Sequence, residues 1–358
     1  MTFYNMLQMN PTDLKGSISK ESDKKNKRKL TYALITRAIL LVIFSIVFIG
    51  PLGSIFGEEN SCMAVSIFCI LLSVRFVDFG YKTPTALFNF ALVFALLTFS
   101  PVLASLSPWY ISFFIHIISF GLIAFLTLGD VAMGNSGLFG FCYIYLSGNP
   151  VTGQSLINRS LMALLGFVIC GLIYFTKHKA KNKEITFIST IKAFNMHNSS
   201  HRLIVRLTIG IAVALSLGQL LKTERAMWVG FACASMLSTY PYNVNLKERF
   251  FGRLGGIIMG SLLFTGIYLI LPESMHSLMG PLGGLLIGFA ATYHFKTAIN
   301  CLGALLMASS VYGAHSAVLL RIGNNIFGLI IGLLLIWLYD ILVDRRHDKK
   351  EKTEQIEE

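Results

Sequence analysis

The sequence predicts an all-α polytopic membrane protein of about twelve transmembrane helices, arranged as two parallel six-helix repeats. Three observations carry that reading. Hydrophobic residues make up 54% of the 358-residue chain, charged residues 13%, and the mean hydropathy is +0.66, a composition that one water-soluble core cannot absorb. Apolar runs near the roughly 20 residues that cross a bilayer as a helix recur with only short polar breaks. Two of these runs, about 160 residues apart, open with the same motif, Arg159-x6-Gly166 and Arg321-x6-Gly328.

In the first half the expected spans are Tyr32 to Gly50, Cys62 to Phe79, Thr85 to Ala104, Trp109 to Leu128, Met133 to Ser147 and Ile157 to Thr176. In the second they are Leu203 to Leu221, Met227 to Tyr240, Leu254 to Leu271, Leu278 to Tyr293, Thr297 to Val311 and Val318 to Val343. Met133 to Ser147 and Met227 to Tyr240 are short enough to be broken or re-entrant helices, tolerated only where protein or a water-filled cavity covers their backbone.

Cytoplasmic loops retain lysine and arginine during insertion. With both ends inside, every basic residue except Arg159, Lys222, Arg225 and Arg321 falls in or beside a cytoplasmic segment, while Glu58, Glu59, Glu224 and Glu273 fall outside. The net charge of +12 is therefore a topology signal and not a sign of nucleic-acid binding. The run Lys24, Lys25, Lys27, Arg28 and Lys29 precedes the first span, where anionic membrane lipids attract it.

Six cysteines, Cys62, Cys69, Cys142, Cys170, Cys233 and Cys301, lie mostly in apolar segments without paired spacing and read as packing residues, not metal ligands. No Gly-x4-Gly-Lys-Ser/Thr run is present, so the expectation is a non-enzyme without a cofactor, driven by a gradient or moving solute downhill.

Laying one half over the other aligns Met63 to Cys69 with Met227 to Cys233, and the two closing Arg-x6-Gly segments with each other. An even number of spans per half makes the repeats parallel. The plan is a cytoplasmic basic tail (1–31), a first repeat (32–176), a cytoplasmic linker (177–202), a second repeat (203–343) and a charged tail (344–358).

Arg253 also places a glycine, Gly260, seven residues on. Seven residues are about two turns, so arginine and glycine share a face that another helix can approach. For Arg253 the plain reading is helix packing with a snorkelling charge at the cytoplasmic edge. Arg159 and Arg321 oppose the positive-inside rule, and their forked donors match a carboxylate, so they are candidate contacts or gates for an organic anion. An internal ion pair or a lipid headgroup is the alternative for Arg321, and Asn324, nearby on the same helix, is placed to orient it or share its ligand. Candidate proton-coupling groups are Asp78, Asp130 and His294. For Asp78 the alternative is a salt bridge to Arg75, and His116 reads as a hydrogen-bonded packing residue.

In order and spacing, Trp228, then Arg253 with Gly256 and Gly260, then Arg321 with Gly328, the second half resembles the fusaric acid resistance and aromatic acid exporter superfamily, with a degenerate echo over 32–176. The chain departs from that family by lacking a large soluble domain between its halves; Asn324 stands where an aspartate is common, and Asn89 occupies the place of Arg253 in the first half. The resemblance implies a bacterial inner-membrane efflux protein for organic, aromatic carboxylates. It also implies a periplasmic membrane-fusion adaptor as partner. Substrate-site residues would be Arg321, Arg159, Arg253, Asn324 and Trp228, with Gly166, Gly256, Gly260 and Gly328 packing helices. Glycine-rich faces also fit a homo-oligomer. The alternatives are a passive anion channel, or a non-transporting membrane partner of a lipid or glycan assembly system.

Overall fold

A computed structural model describes residues 2–127, 135–179, 185–196, 198–238 and 246–344. Asp130, Met133, Tyr240, linker residues 180–184 and the tail from 345 onward lie outside the described residues. The α-helices are α1 (Phe3–Gln8), α2 (Pro11–Lys20), α3 (Lys24–Phe56), α4 (Ser61–Val74), α5 (Thr83–Leu106), α6 (Trp109–Leu126), α7 (Asn135–Ser147), α8 (Gly153–His178), α9 (Phe187–Lys192), α10 (Ser199–Leu220), α11 (Met227–Leu237), α12 (Leu246–Ile270), α13 (Met279–Ile287), α14 (Tyr293–Tyr312) and α15 (Ala314–Tyr339).

Among the described residues, seven helices are long and apolar enough to cross a membrane: Lys24–Phe56, Thr83–Leu106, Trp109–Leu126, Gly153–His178, Ser200–Leu220, Leu246–Ile270 and Ala314–Leu342. The other expected spans are helical but fall short. Helices α4, α7, α11 and α13 have 14, 13, 11 and 9 residues, below the roughly 20 a crossing needs. Helix α13 stops at Ile287 because Gly283, Gly284 and Gly288 leave the backbone little to hold it straight. Helix α14 has 20 residues, but its opening Tyr-His-Phe-Lys is too polar.

The contacts divide the chain into two compact units that cut across its sequence halves. The first joins Met1–Gly50 to Asn245–Asn325. In it α14 packs against both α12 and α13. Its N-terminal stretch, read from sequence only as a basic tail, begins with two helices. The Thr2 hydroxyl and the Asn10 side chain accept from backbone N–H groups to cap α1 and α2, and Pro11 supplies a first-turn φ suited to a helix. Met6 and Leu14 are buried with Leu30, Ala33 and Leu34 of α3, and Phe289 packs on that cluster. Thr12 donates to the carbonyl of Ala291 at 3.1 Å, tying α2 to the turn before α14. Helix α3 leaves Ile39, Leu40, Ile43 and Val47 exposed, an apolar face suited to lipid.

The second unit joins Pro51–Val244 to Ile326–Glu358. Short helix α7 is its hub, touching α4, α5, α6, α10 and α11. Phe139, Cys142, Tyr143, Ile144 and Leu146 of α7 are all buried. A helix too short to span is thus wrapped by protein, the condition a membrane sets for it.

Candidate functional site

In the first unit α12 meets α14 through glycine. A Cβ at Gly256 would lie 2.8 Å from the His294 carbonyl oxygen and 2.8 Å from Thr297 Cβ, and one at Gly260 would collide with the backbone of Ala298. Only glycine lets the two backbones come this close. One turn before Gly256, Arg253 is carried to the same seam.

Arg253 donates from Nε at 3.2 Å and from Nη2 at 3.0 Å to the single Oδ1 of Asn325, and from Nη1 at 3.2 Å to the Tyr293 hydroxyl. Both acceptors are neutral. Asn325 is oriented for this, because its Nδ2 donates at 2.7 Å to the Arg321 carbonyl one turn back on α15. The Arg249 guanidinium sits 3.9 Å from the Tyr293 ring centroid, a cation–π contact that braces the ring. Arg321 is buried, lies beside Cys301, and feels the charge of Arg253. Three helices therefore bring two guanidinium groups within electrostatic reach of each other, around a buried amide.

Arg253, Arg321, Asn324, Gly256 and Gly260 belong to this unit; Asn324 is buried beside Asn325. His294 is on the same seam, with Nδ1 3.1 Å from the Gly252 carbonyl oxygen. Tyr293, Arg249 and Asn325 were not singled out from the sequence. Asn325 gave one signal: it stands four residues after Arg321, hence on the same helix face.

Arg159 belongs to the second unit and is fully buried. Its Nε donates to Asn60 Oδ1 at 2.9 Å, its Nη1 to the Asn149 carbonyl at 2.8 Å, and its Nη2 to the Glu59 carbonyl at 3.1 Å and to Cys62 Sγ at 3.2 Å. It staples the start of α8 to the start of α4 and the end of α7. Beside it the Ser155 hydroxyl donates at 2.6 Å to Glu59 Oε1, holding that carboxyl below its ordinary range. Gly166 lies against Ile67 of α4, and Gly328 against Val229 and Ala232 of α11. Trp228, on α11, is buried.

Asp78, in the second unit, accepts from the Tyr174 hydroxyl at 3.0 Å and from the Gly80 N–H at 2.9 Å, with His178 Nδ1 3.9 Å away. His116 contacts Ser112 and Tyr143 through its two ring nitrogens, at 3.2 and 2.8 Å. All six cysteines are free thiols.

Residues 211–335, which carry the C-terminal part of α10, α11 to α14 and most of α15, match the family model described as fusaric acid resistance protein-like. No curated protein and no solved structure matches the chain. The match and the apolar helices together mark a multi-pass membrane protein of transporter type.

Proposed function

We propose, from the likeness of residues 211–335 to fusaric acid resistance proteins, that this chain is an inner-membrane exporter of organic, aromatic carboxylates. The observation that carries the proposal is the approach of Arg253 and Arg321 around Asn325. Two like charges in a low-dielectric site repel, and an entering carboxylate relieves that repulsion while accepting forked hydrogen bonds. Arg253 takes the anion first, and Arg321, deeper on α15, receives it. Asn324 flanks the path, and Asn325 holds Arg253 open between arrivals. Arg159 acts as a structural staple, since its donors are turned to Asn60, Asn149, Glu59 and Cys62.

The two-repeat plan, with twelve helices and both ends cytoplasmic, belongs to the same proposal. It is supported by Gly166 and Gly328, aligned in sequence, each packing onto a residue of the aligned heptapeptides Met63 to Cys69 and Met227 to Cys233. Proton coupling through Asp78, Asp130 or His294, and continuation of the path by a periplasmic adaptor, complete the exporter reading. That the hydrogen bonds of Arg253 among the described residues go to neutral partners favours a second reading, a passive anion channel without a coupling carboxylate at Arg253.

The test is efflux of labelled benzoate from proteoliposomes with and without an imposed pH gradient. Accumulation against the benzoate gradient, driven by pH, supports the exporter. Fast flux indifferent to pH supports the channel.

A further inference from the structure

The α10–α11 connection carries two cations in a backbone region that side chains avoid: Lys222 has φ 49° and Arg225 has φ 54°. They are the only non-glycine residues among those described with positive φ. Left-handed backbone costs free energy for any residue with a Cβ, and glycine would remove that cost. At Lys222 the conformation closes the C-terminus of α10, where Lys222 N–H donates to the Gln219 carbonyl and Thr223 N–H donates to that of Gly218. Both cations also oppose the charge asymmetry that assigns this end of the unit to the outer side. Neither topology nor local backbone preference explains a lysine here.

Lys222 borders a cavity of about 300 Å³ within the second unit, at the ends of α5, α6, α7, α10 and α11. Its walls are both apolar and polar. Pro101, Ala104, Leu215 and Met227 supply an apolar surface, while Ser112, His116, Gln219 and Thr223 bring polar groups. The Gln219 side-chain NH2 is held by the Ser107 carbonyl at 2.7 Å, and His116 is fixed by Ser112 and Tyr143. Ser147 also lines the cavity, with its Oγ buried beside the Tyr143 phenol. The Lys222 ammonium forms no ion pair among the described residues.

We infer that this cavity is a second binding site, specific for a small organic monocarboxylate. One cation at the rim selects a single negative charge, the apolar walls take a ring or short chain, and the hydroxyls of Ser147 and Thr223 complete the carboxylate's hydrogen bonds. The volume lies at the small end of the range for ligand pockets, which excludes bulky solutes. The inference deepens the exporter reading by giving the departing anion a resting place. It rests on that reading only for the direction of movement.

The test titrates benzoate into the full chain in lipid nanodiscs by calorimetry, in a background carrying Arg253→Gln and Arg321→Gln so that the first site is silent. One site is expected, with benzamide not binding. Lys222→Gly should weaken benzoate about tenfold while raising the unfolding temperature, since it removes strain along with charge. Lys222→Arg should stay within about threefold, and Ser105→Phe, at the exposed rim, should weaken binding about as much as Lys222→Gly. Repeating Lys222→Gly in the otherwise unaltered chain guards against a folding defect in the background. Benzoate affinity in Lys222→Gly and Ser105→Phe unchanged from the background protein, no benzoate binding at all, or equal binding of benzamide would overturn the site. Benzoate binding to the cavity alongside no benzoate flux through the unaltered chain would overturn the exporter reading alone.

Discussion

Arg253 places two of its donors, at 3.2 and 3.0 Å, on one oxygen of Asn325, and Asn325 is itself anchored to the Arg321 carbonyl at 2.7 Å. One amide thus fixes the direction of one arginine by leaning on the helix of the other. Hydrogen bonds to a charged group contribute about 1.5–3 kcal/mol net, so Asn325→Ala should raise the transport KM about ten- to a hundredfold by letting Arg253 wander. Asn325→Asp is the sharper variant. Its carboxylate pairs with Arg253 and occupies the place of the anion, so transport should vanish while thermal stability holds. Transport retained in Asn325→Asp would remove Arg253 from the path.

Gly260 and Gly266 lie on the same helix and predict opposite outcomes. A methyl at Gly260 strikes the backbone of Ala298, whereas at Gly266 nothing lies within 4 Å. Gly260→Ala should destabilise by about 1–3 kcal/mol through overpacking. Gly266→Ala should be neutral or stabilising by up to about 1 kcal/mol, because glycine is a poor helix former. Thermal unfolding of the two variants in detergent compares them directly.

The spacing of Arg253, Gly256 and Gly260 makes their shared face legible from sequence, because seven residues return a helix nearly to the same side. Asn325 was not legible in the same way. An amide inside an apolar run has no meaning until another helix brings it a donor, and no local pattern encodes that. The helical N-terminus was hidden by polarity: Met6, Leu14 and Ile18 are sparse among charges, and only Leu30, Ala33, Leu34 and Phe289 give them something to bury against. Hydropathy overestimated α13 because it scores Gly283, Gly284 and Gly288 as nearly neutral, while the backbone feels them as breaks. The asymmetry between Arg159 and Arg321 was equally invisible, since both open with the same motif and only their surroundings differ.

That asymmetry yields a separable prediction. Arg159→Met leaves Asn60 Oδ1 and the Asn149 carbonyl without their buried donor, at a cost of about 1–3 kcal/mol for each unsatisfied group. The variant should unfold at lower temperature, with transport per folded molecule preserved. Arg321→Gln should do the reverse. Thermal unfolding read alongside flux per folded protein distinguishes a staple from a ligand contact, and equal flux loss in both variants would contradict the division of roles.

Acid stability follows from Glu59. Its hydrogen bond from Ser155 lowers the carboxyl pKa below the ordinary 4.5 in the folded chain. A depressed folded pKa gives stability that is present above the unfolded value and lost as pH falls through the folded one. The unfolding temperature should therefore decline as pH drops below 4.5, and both Glu59→Gln and Ser155→Ala should flatten that part of the profile. Because Glu59 is exposed the effect is small, and an unchanged profile in Ser155→Ala would remove this bond from the account.

The central claim is that Arg253 and Arg321 contact the travelling anion, and initial-rate flux of labelled benzoate in proteoliposomes tests it most directly. At matched folded protein, the account predicts that Arg253→Gln and Arg321→Gln each slow flux at least about tenfold, the loss of about one charge-assisted hydrogen bond. Flux within twofold of the unaltered chain in both variants would contradict it.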